Sequence, residues 1–363
     1  MIGFTGFIGL TGLDNYATVS LLFRKKGNFL NLIGKTINGR YHISKQLGEG
    51  GMSQVFQARD RHKDLNVAIK MMKKSLTSTY IEDLIRFRRE IEIVSKLKHP
   101  NIIEVYGQYE YESTPFIVME LLSGHNLSKY FENGTRFAVS EIIHIIKQLA
   151  EALNYVHNHG IIHRDLKPSN IFINEQNQLK LLDFGVALVM ELSAIREEKM
   201  IAGTFGYMSP EATGILDKRI DERSDLYSLG VIFYHLITGS PPFKGTEINQ
   251  LLHQQVALNP IRPKRINPEI PVALEEIILK LLQKDPDLRY QSARGLLADL
   301  DLVLAGEYDF EIGGKDQKIK LTYQTRLVGR EQEFRKIESL FDNAAKGSGS
   351  ICLIAGEAGI GKS

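Results

Sequence analysis

From Tyr41 to about Met119, short β-branched and aromatic runs alternate with glycine turns, and one helical segment, Arg86 to Leu97, interrupts them. This pattern predicts a small sheet with a single helix. Within it, Val67, Ala68, Ile69 and Lys70 alternate so that Ala68 and Lys70 share one face of a strand. From Asn126 to Leu304 the apolar spacing becomes helical. Ile142, Ile143, Ile145, Ile146, Leu149, Leu153 and Val156 keep one face apolar, which predicts a larger, mostly helical lobe. After Gly306 the chain is polar and charged to Thr325, with Gly313 and Gly314 adjacent, and then turns helical and apolar again; this reads as a linker into another domain. Met1 to Phe23 is apolar and glycine-rich but lacks a basic start and is broken by Asp14 and Asn15, so it reads as an extension and not as a signal peptide.

Composition narrows the classes. A chain of 363 residues with 43% hydrophobic and 24% charged side chains can bury a sizeable core. Its 45 basic and 43 acidic residues are spread along the chain, so charge marks neither a nucleic-acid binder nor a membrane-surface protein. No run of about 18 apolar residues points to a spanning helix. The single cysteine, Cys352, excludes an internal disulfide and fits a reducing compartment, so the expected location is the cytoplasm.

Several motifs carry chemistry. Leu47, Gly48, Glu49, Gly50, Gly51, Met52, Ser53, Gln54 and Val55 form a glycine-rich hairpin whose N–H groups can approach phosphate, although Ser53 stands where a third glycine of GxGxxG would be. Lys70 follows on a strand where it can reach phosphate oxygens while Ala68 roofs a base. Glu90 sits beside the apolar face of the helical segment and is a candidate partner for Lys70; the plainer reading pairs it with neighbouring arginines. The densest cluster is His163, Arg164, Asp165, Leu166, Lys167, Pro168, Ser169 and Asn170, followed by Asp183, Phe184 and Gly185. Phosphoryl transfer needs a carboxylate near the attacking hydroxyl, acidic and amide oxygens for Mg²⁺, and a cation over the transferring group; Asp165, Asp183 with Asn170, and Lys167 supply them in order.

On these residues, the stretch from 41 to about 303 resembles a eukaryotic-type protein kinase domain of the kind also found in bacteria. The resemblance implies an α+β, bilobal fold: an N-lobe over 41–119, a hinge over 120–125 and a C-lobe over 126–303, after an extension over 1–40 and before a linker over 304–324. It implies ATP with Mg²⁺ or Mn²⁺, and protein substrates bearing serine or threonine. By the same resemblance Leu47, Gly48, Gly50 and Val55 cover the nucleotide, Lys70 pairs with Glu90, Met119 is the gatekeeper, Glu120 and Leu122 offer hinge backbone, and Phe172 floors the adenine pocket. Asp165 is the catalytic carboxylate, with Lys167 beside it, and Asn170 and Asp183 hold metal. Val94, His163 and Phe184 stack between lobes. Gly203 to Glu211 matches the substrate-docking segment, with Ser209 where the family has alanine; Thr204 there, together with Lys167, marks the serine/threonine class. Glu211 pairs with Arg289, and Asp225 braces the catalytic loop. Glu197 or Glu198 is an expected permanent anion for Arg164, in a segment whose only hydroxyl before Gly203 is Ser193. The alternative reading is a nucleotide-binding scaffold without turnover. Oligomeric state and physiological substrate have no sequence signature.

At the C-terminus, Ile351 to Ala355 forms an apolar strand feeding Gly356 to Ser363, which reads GxxxxGKS. With Leu327 to Glu333 before it, the segment 325–363 resembles the start of an AAA-like ATPase domain, and the chain would then be a fragment of a larger signalling protein.

Overall fold

The computed structural model describes residues 32–51, 53–73, 80–184, 205–215, 218–245 and 247–316, together with Lys336, Ser339 and Leu340. Residues 1–318 form one compact unit and residues 319–363 a second, of which only those three residues are described.

The first lobe is built on a six-stranded antiparallel sheet of order β1-β2-β3-β4-β6-β5. Its strands are β1 (Thr36–Ile37), β2 (Tyr41–Glu49), β3 (Ser53–Asp60), β4 (Leu65–Met72), β5 (Val105–Tyr111) and β6 (Thr114–Glu120). Period-two alternation divides the work of its two faces. Phe56, Ala58, Val67, Ile69, Met71, Phe116 and Val118 point to one side and form a core with Tyr41 and Ile43. That core takes in residues upstream of Tyr41: Leu32 and Ile37 are fully buried in it. On the other side Val55 lies opposite Lys70, and Ala68 opposite Met119, so these residues share the face that looks into the cleft. Helix α1 (Tyr80–Val94) packs there through Phe87 and Ile91 against Met72 and Ile117.

The second lobe is helical around a three-stranded sheet of β7 (His125–Asn126), β8 (Ile171–Ile173) and β9 (Leu179–Leu181). Helix α2 (Leu127–Glu132) is capped by the Asn126 side chain, which accepts from Lys129 N–H. Helix α3 (Val139–Asn158) buries the isoleucine and leucine face expected from its spacing, and Glu141 accepts the N–H of Ala138 at its start. Helix α4 (Glu222–Thr238) runs through the centre; it is apolar nearly all round and correspondingly buried, with Asp221 at its N-cap and Gly239, at φ 78°, at its C-cap. Helices α5 (Ile248–Ala257), α6 (Pro263–Ile266), α7 (Val272–Leu281) and α8 (Ala293–Leu304) complete the lobe. The polar stretch after Gly306 folds back on it: Phe310 and Ile312 pack on the core, and Asp316 accepts from Gln291 N–H at 2.5 Å and from the Ser292 hydroxyl at 2.9 Å. No helix among the described residues is long and apolar enough to cross a membrane.

Candidate active site

The cleft between the lobes gathers the residues singled out in the sequence. Lys70, buried at the centre of β4, donates to Glu90 Oε1 and to Asp183 Oδ1, each at 2.7 Å. Burial opposes its charge, but Asp183 and Glu90 outweigh that and hold the ammonium above its usual range. Asp183 is half exposed; what burial it has disfavours the carboxylate, and Lys70 overcomes this and holds it below the usual range. Glu90 is displaced upward, by burial first, against the pull of Lys70.

The catalytic-loop backbone is shaped by Asp225. Its Oδ2 accepts the His163 N–H and its Oδ1 the Arg164 N–H, each at 2.8 Å, while His157 Nε2 shares a 2.8 Å hydrogen bond with Oδ2. Those bonds hold Arg164 at φ 65°, a conformation non-glycine residues avoid. Downstream, the Asp165 carboxylate is fixed by Lys167 Nζ at 2.8 Å and by Asn170 Nδ2 at 3.0 Å; Asn170 Nδ2 also donates to the Asp165 carbonyl at 2.9 Å. Asp183 too has a positive φ, 46°. The rings of His163 and Phe184 lie 4.9 Å apart, and His163 Nε2 and the Leu182 carbonyl share a 3.0 Å hydrogen bond. Val94 and Phe184 are buried in the same core cluster.

Around this centre, Gly48 and Gly50 lie in the β2–β3 hairpin, which Gly50 N–H closes on the Ser53 carbonyl at 2.8 Å; Leu47 is exposed on the same hairpin. Ala68 is buried, and Met119 packs against both the large-lobe core and the small cluster beneath α1. Glu120 has its backbone N–H donated to the Glu104 carbonyl and its carboxylate paired with Lys180 at 2.6 Å, while Leu122 is half-buried on the large-lobe core. Phe172 lies between the fully buried Ile171 and Ile173, so alternation turns it to the opposite face of β8. Below the loop, Glu211 and Arg289 form a two-pronged ion pair at 2.7 and 2.7 Å with both side chains fully buried, and Ser224 donates to Glu211 at 2.6 Å. Thr204, Ser193, Glu197, Glu198 and the GxxxxGKS run lie outside the described residues.

A comparison with known families decides the relationship: the protein kinase domain model matches residues 41–299. The chain belongs to the protein kinase family. Relatives of this kinase domain include the serine/threonine-protein kinase PknB of Mycolicibacterium smegmatis, 39% identical over 281 residues that cover 75% of this chain and 44% of PknB. Another is PrkC of Bacillus subtilis, also a serine/threonine-protein kinase, 36% identical over 271 residues covering 74% of this chain and 41% of PrkC. The match therefore spans less than half the length of these curated relatives. Among solved structures, the kinase domain of Mycobacterium tuberculosis PknI superposes with a TM-score of 0.56 at 25% identity, covering 74% of this chain and 96% of that kinase-domain chain. Rad53 1–466 in complex with AMP-PNP does so with a TM-score of 0.58 at 28% identity, covering 71% of this chain and 64% of that chain. The kinase fold is thus shared, and the AAA ATPase domain model matches residues 326–363.

Two polar contacts were not foreseen from the sequence. His157 and His235 are single histidines on helices, with no spacing or motif to distinguish them from surface residues; the first braces Asp225, and the second shares a 2.8 Å hydrogen bond with Tyr207.

Proposed function

We propose that the chain is a serine/threonine protein kinase that transfers the γ-phosphoryl group of ATP to hydroxyls on protein substrates. The observation that carries this reading is Lys70 bridging Glu90 and Asp183 while Asp165 is fixed by Lys167 and Asn170, which is an assembled and not a collapsed site. Asp165 orients the acceptor hydroxyl and takes its proton; Lys167 offsets charge on the transferring group. Lys70 binds the phosphates of ATP, with Gly48 and Gly50 leaving room for them: a Cβ at Gly48 would meet nothing within 4 Å. Leu47, Val55, Ala68, Met119, Leu122 and Phe172 line the base. Because the Glu120 N–H is engaged by Glu104, any hinge contact from Glu120 falls to its carbonyl.

Asn170 and Asp183 offer hard oxygen donors, which suit Mg²⁺ or Mn²⁺. No cluster of three His, Cys, Asp or Glu among the described residues forms a self-sufficient metal centre, so the cation would share its coordination with polyphosphate. When bound, such an ion neutralises charge on the β- and γ-phosphate oxygens. The sequence pair of Lys167 and Thr204, and the names of the relatives, favour serine and threonine as acceptors. The test is labelled ATP with Mg²⁺ or Mn²⁺ and casein or myelin basic protein, followed by phosphoamino acid analysis. Phosphoserine or phosphothreonine is expected; phosphotyrosine alone, or no transfer, would contradict the assignment.

A further inference from the structure

Tyr207 belongs to the segment that would dock a substrate, and the next two residues, Met208 and Ser209, line a small cavity with Arg164 of the catalytic loop. The docking segment therefore lies against the catalytic loop. Tyr207 in turn joins three rings. Its hydroxyl and His235 Nδ1 share a 2.8 Å hydrogen bond, and the His235 ring stacks on Phe131 with centroids 3.6 Å apart and planes at 18°. The docking segment, α4 and α2 thus meet in one rigid aromatic floor.

The charges that act on His235 at this floor are of one sign. Burial first, and then Lys244 and Arg136, push the His235 imidazole down to about 4, and no carboxylate acts on it. The ring is uncharged near neutral pH, and among the described residues neither Arg136 nor Lys244, both exposed, enters an ion pair. Arg136 is exposed and lies beside the end of α4. Its guanidinium lies over Gly239, where a Cβ would overlap it, at the carbonyl end of α4, whose partial negative charge favours a cation. The Arg136 guanidinium at this helix end and the Lys244 ammonium, whose charges both act on the half-buried ring, are matched by an anion of side-chain size, and a lysine or arginine placed there would meet two like charges.

We propose that Arg136 and Lys244, over the floor of Tyr207, His235 and Phe131, select protein substrates that carry an aspartate or glutamate close to the phosphorylated hydroxyl. The inference rests on the kinase reading and specifies the substrate class of that site. Recognition is a matter of charge and position: the acidic side chain strengthens peptide binding and draws the acceptor into register with Asp165, so the effect falls on KM more than on kcat.

The experiment uses the full chain and peptides with one serine in a neutral background, in which a single glutamate, glutamine or lysine is scanned through the flanking positions. At one or two positions glutamate is expected to raise kcat/KM over glutamine by about three- to tenfold, with lysine below both and the gain shrinking as salt rises. Arg136→Gln with Lys244→Gln should bring the glutamate-to-glutamine ratio close to one, while Arg136→Lys keeps most of it and Arg136→Glu shifts preference towards lysine. Equal rates for the three peptide sets, or a glutamate preference that survives the double variant, would overturn the inference. Failure of every peptide and of casein would overturn the kinase reading beneath it.

Discussion

Glu211 and Arg289 show how much one residue can decide. Both side chains are fully buried, and Arg289 spends its remaining donors on the carbonyls of Gln283, Lys284 and Arg223. Removing one partner leaves the other charged and unsolvated, so Glu211→Ala should destabilise the fold by about 3 to 5 kcal/mol, read as a lower midpoint in urea or heat. Burial pushes the Glu211 carboxyl up, but Arg289 and Ser224 outweigh it and leave it below the usual carboxylate range. Asp225 is likewise lowered: burial opposes its charge, and His157 with the loop N–H groups more than compensates. The native state therefore binds protons at these sites less readily than the unfolded chain does. Their stabilisation is complete above the unfolded carboxylate range, about pH 4, and drains away as pH falls further. From these two sites, stability should hold from pH 7 to about pH 5 and then decline towards about pH 3 in the wild type, and decline less steeply in Glu211→Gln, which starts lower. Asp165, Asn170 and Asp183 could be singled out as candidates in the sequence because phosphoryl transfer calls for those types at that spacing, and the structure joins Asn170 to Asp165 and Lys70 to Asp183. His157 and His235 were not, because a lone histidine on a helix has the same pattern whether it braces a loop or faces water.

At the scale of elements, periodicity named the sheet face and the α3 face correctly because each is long enough to repeat. Ala68 and Lys70 share the cleft side of β4, and the isoleucines of α3 are buried as spaced. Two features fell below that threshold. Strand β1 has two residues, too few to show alternation, and yet Ile37 is fully buried. The 307–316 stretch is mostly polar and reads as linker, but its hold on the lobe comes from single contacts, Asp316 to Gln291 and Ser292 and the Gly313 N–H to Asp299 at 2.7 Å. Asp316→Ala leaves the Gln291 N–H and the Ser292 hydroxyl without their acceptor and should destabilise the domain by about 1 to 3 kcal/mol, measurable by thermal unfolding. Close approach of α4 to α7 depends on Gly230, where a Cβ would fall 2.6 Å from the Leu281 Cβ. Gly230→Ala should cost about 1 to 3 kcal/mol by overpacking; an unchanged melting curve would mean that the two helices separate without penalty.

At the scale of the whole molecule, the two lobes of the kinase domain are joined by contacts that also build the site. Lys70 of the first lobe reaches Asp183 of the second, and Val94 of α1 shares a buried cluster with Phe184, whose ring meets His163. On the proposed function, lobe arrangement and phosphoryl-transfer chemistry therefore stand or fall together, with nucleotide assigned to one set of residues and the acceptor to another. That separation is testable at Asp165, the residue assigned to orient the acceptor, which shares no hydrogen bond with Lys70 or Glu90. The most direct measurement is kcat of Asp165→Asn on a generic protein substrate, made alongside ATP affinity. A fall of about 100-fold or more with ATP affinity kept is the predicted result, whereas retention of more than about a tenth of wild-type kcat would contradict the account.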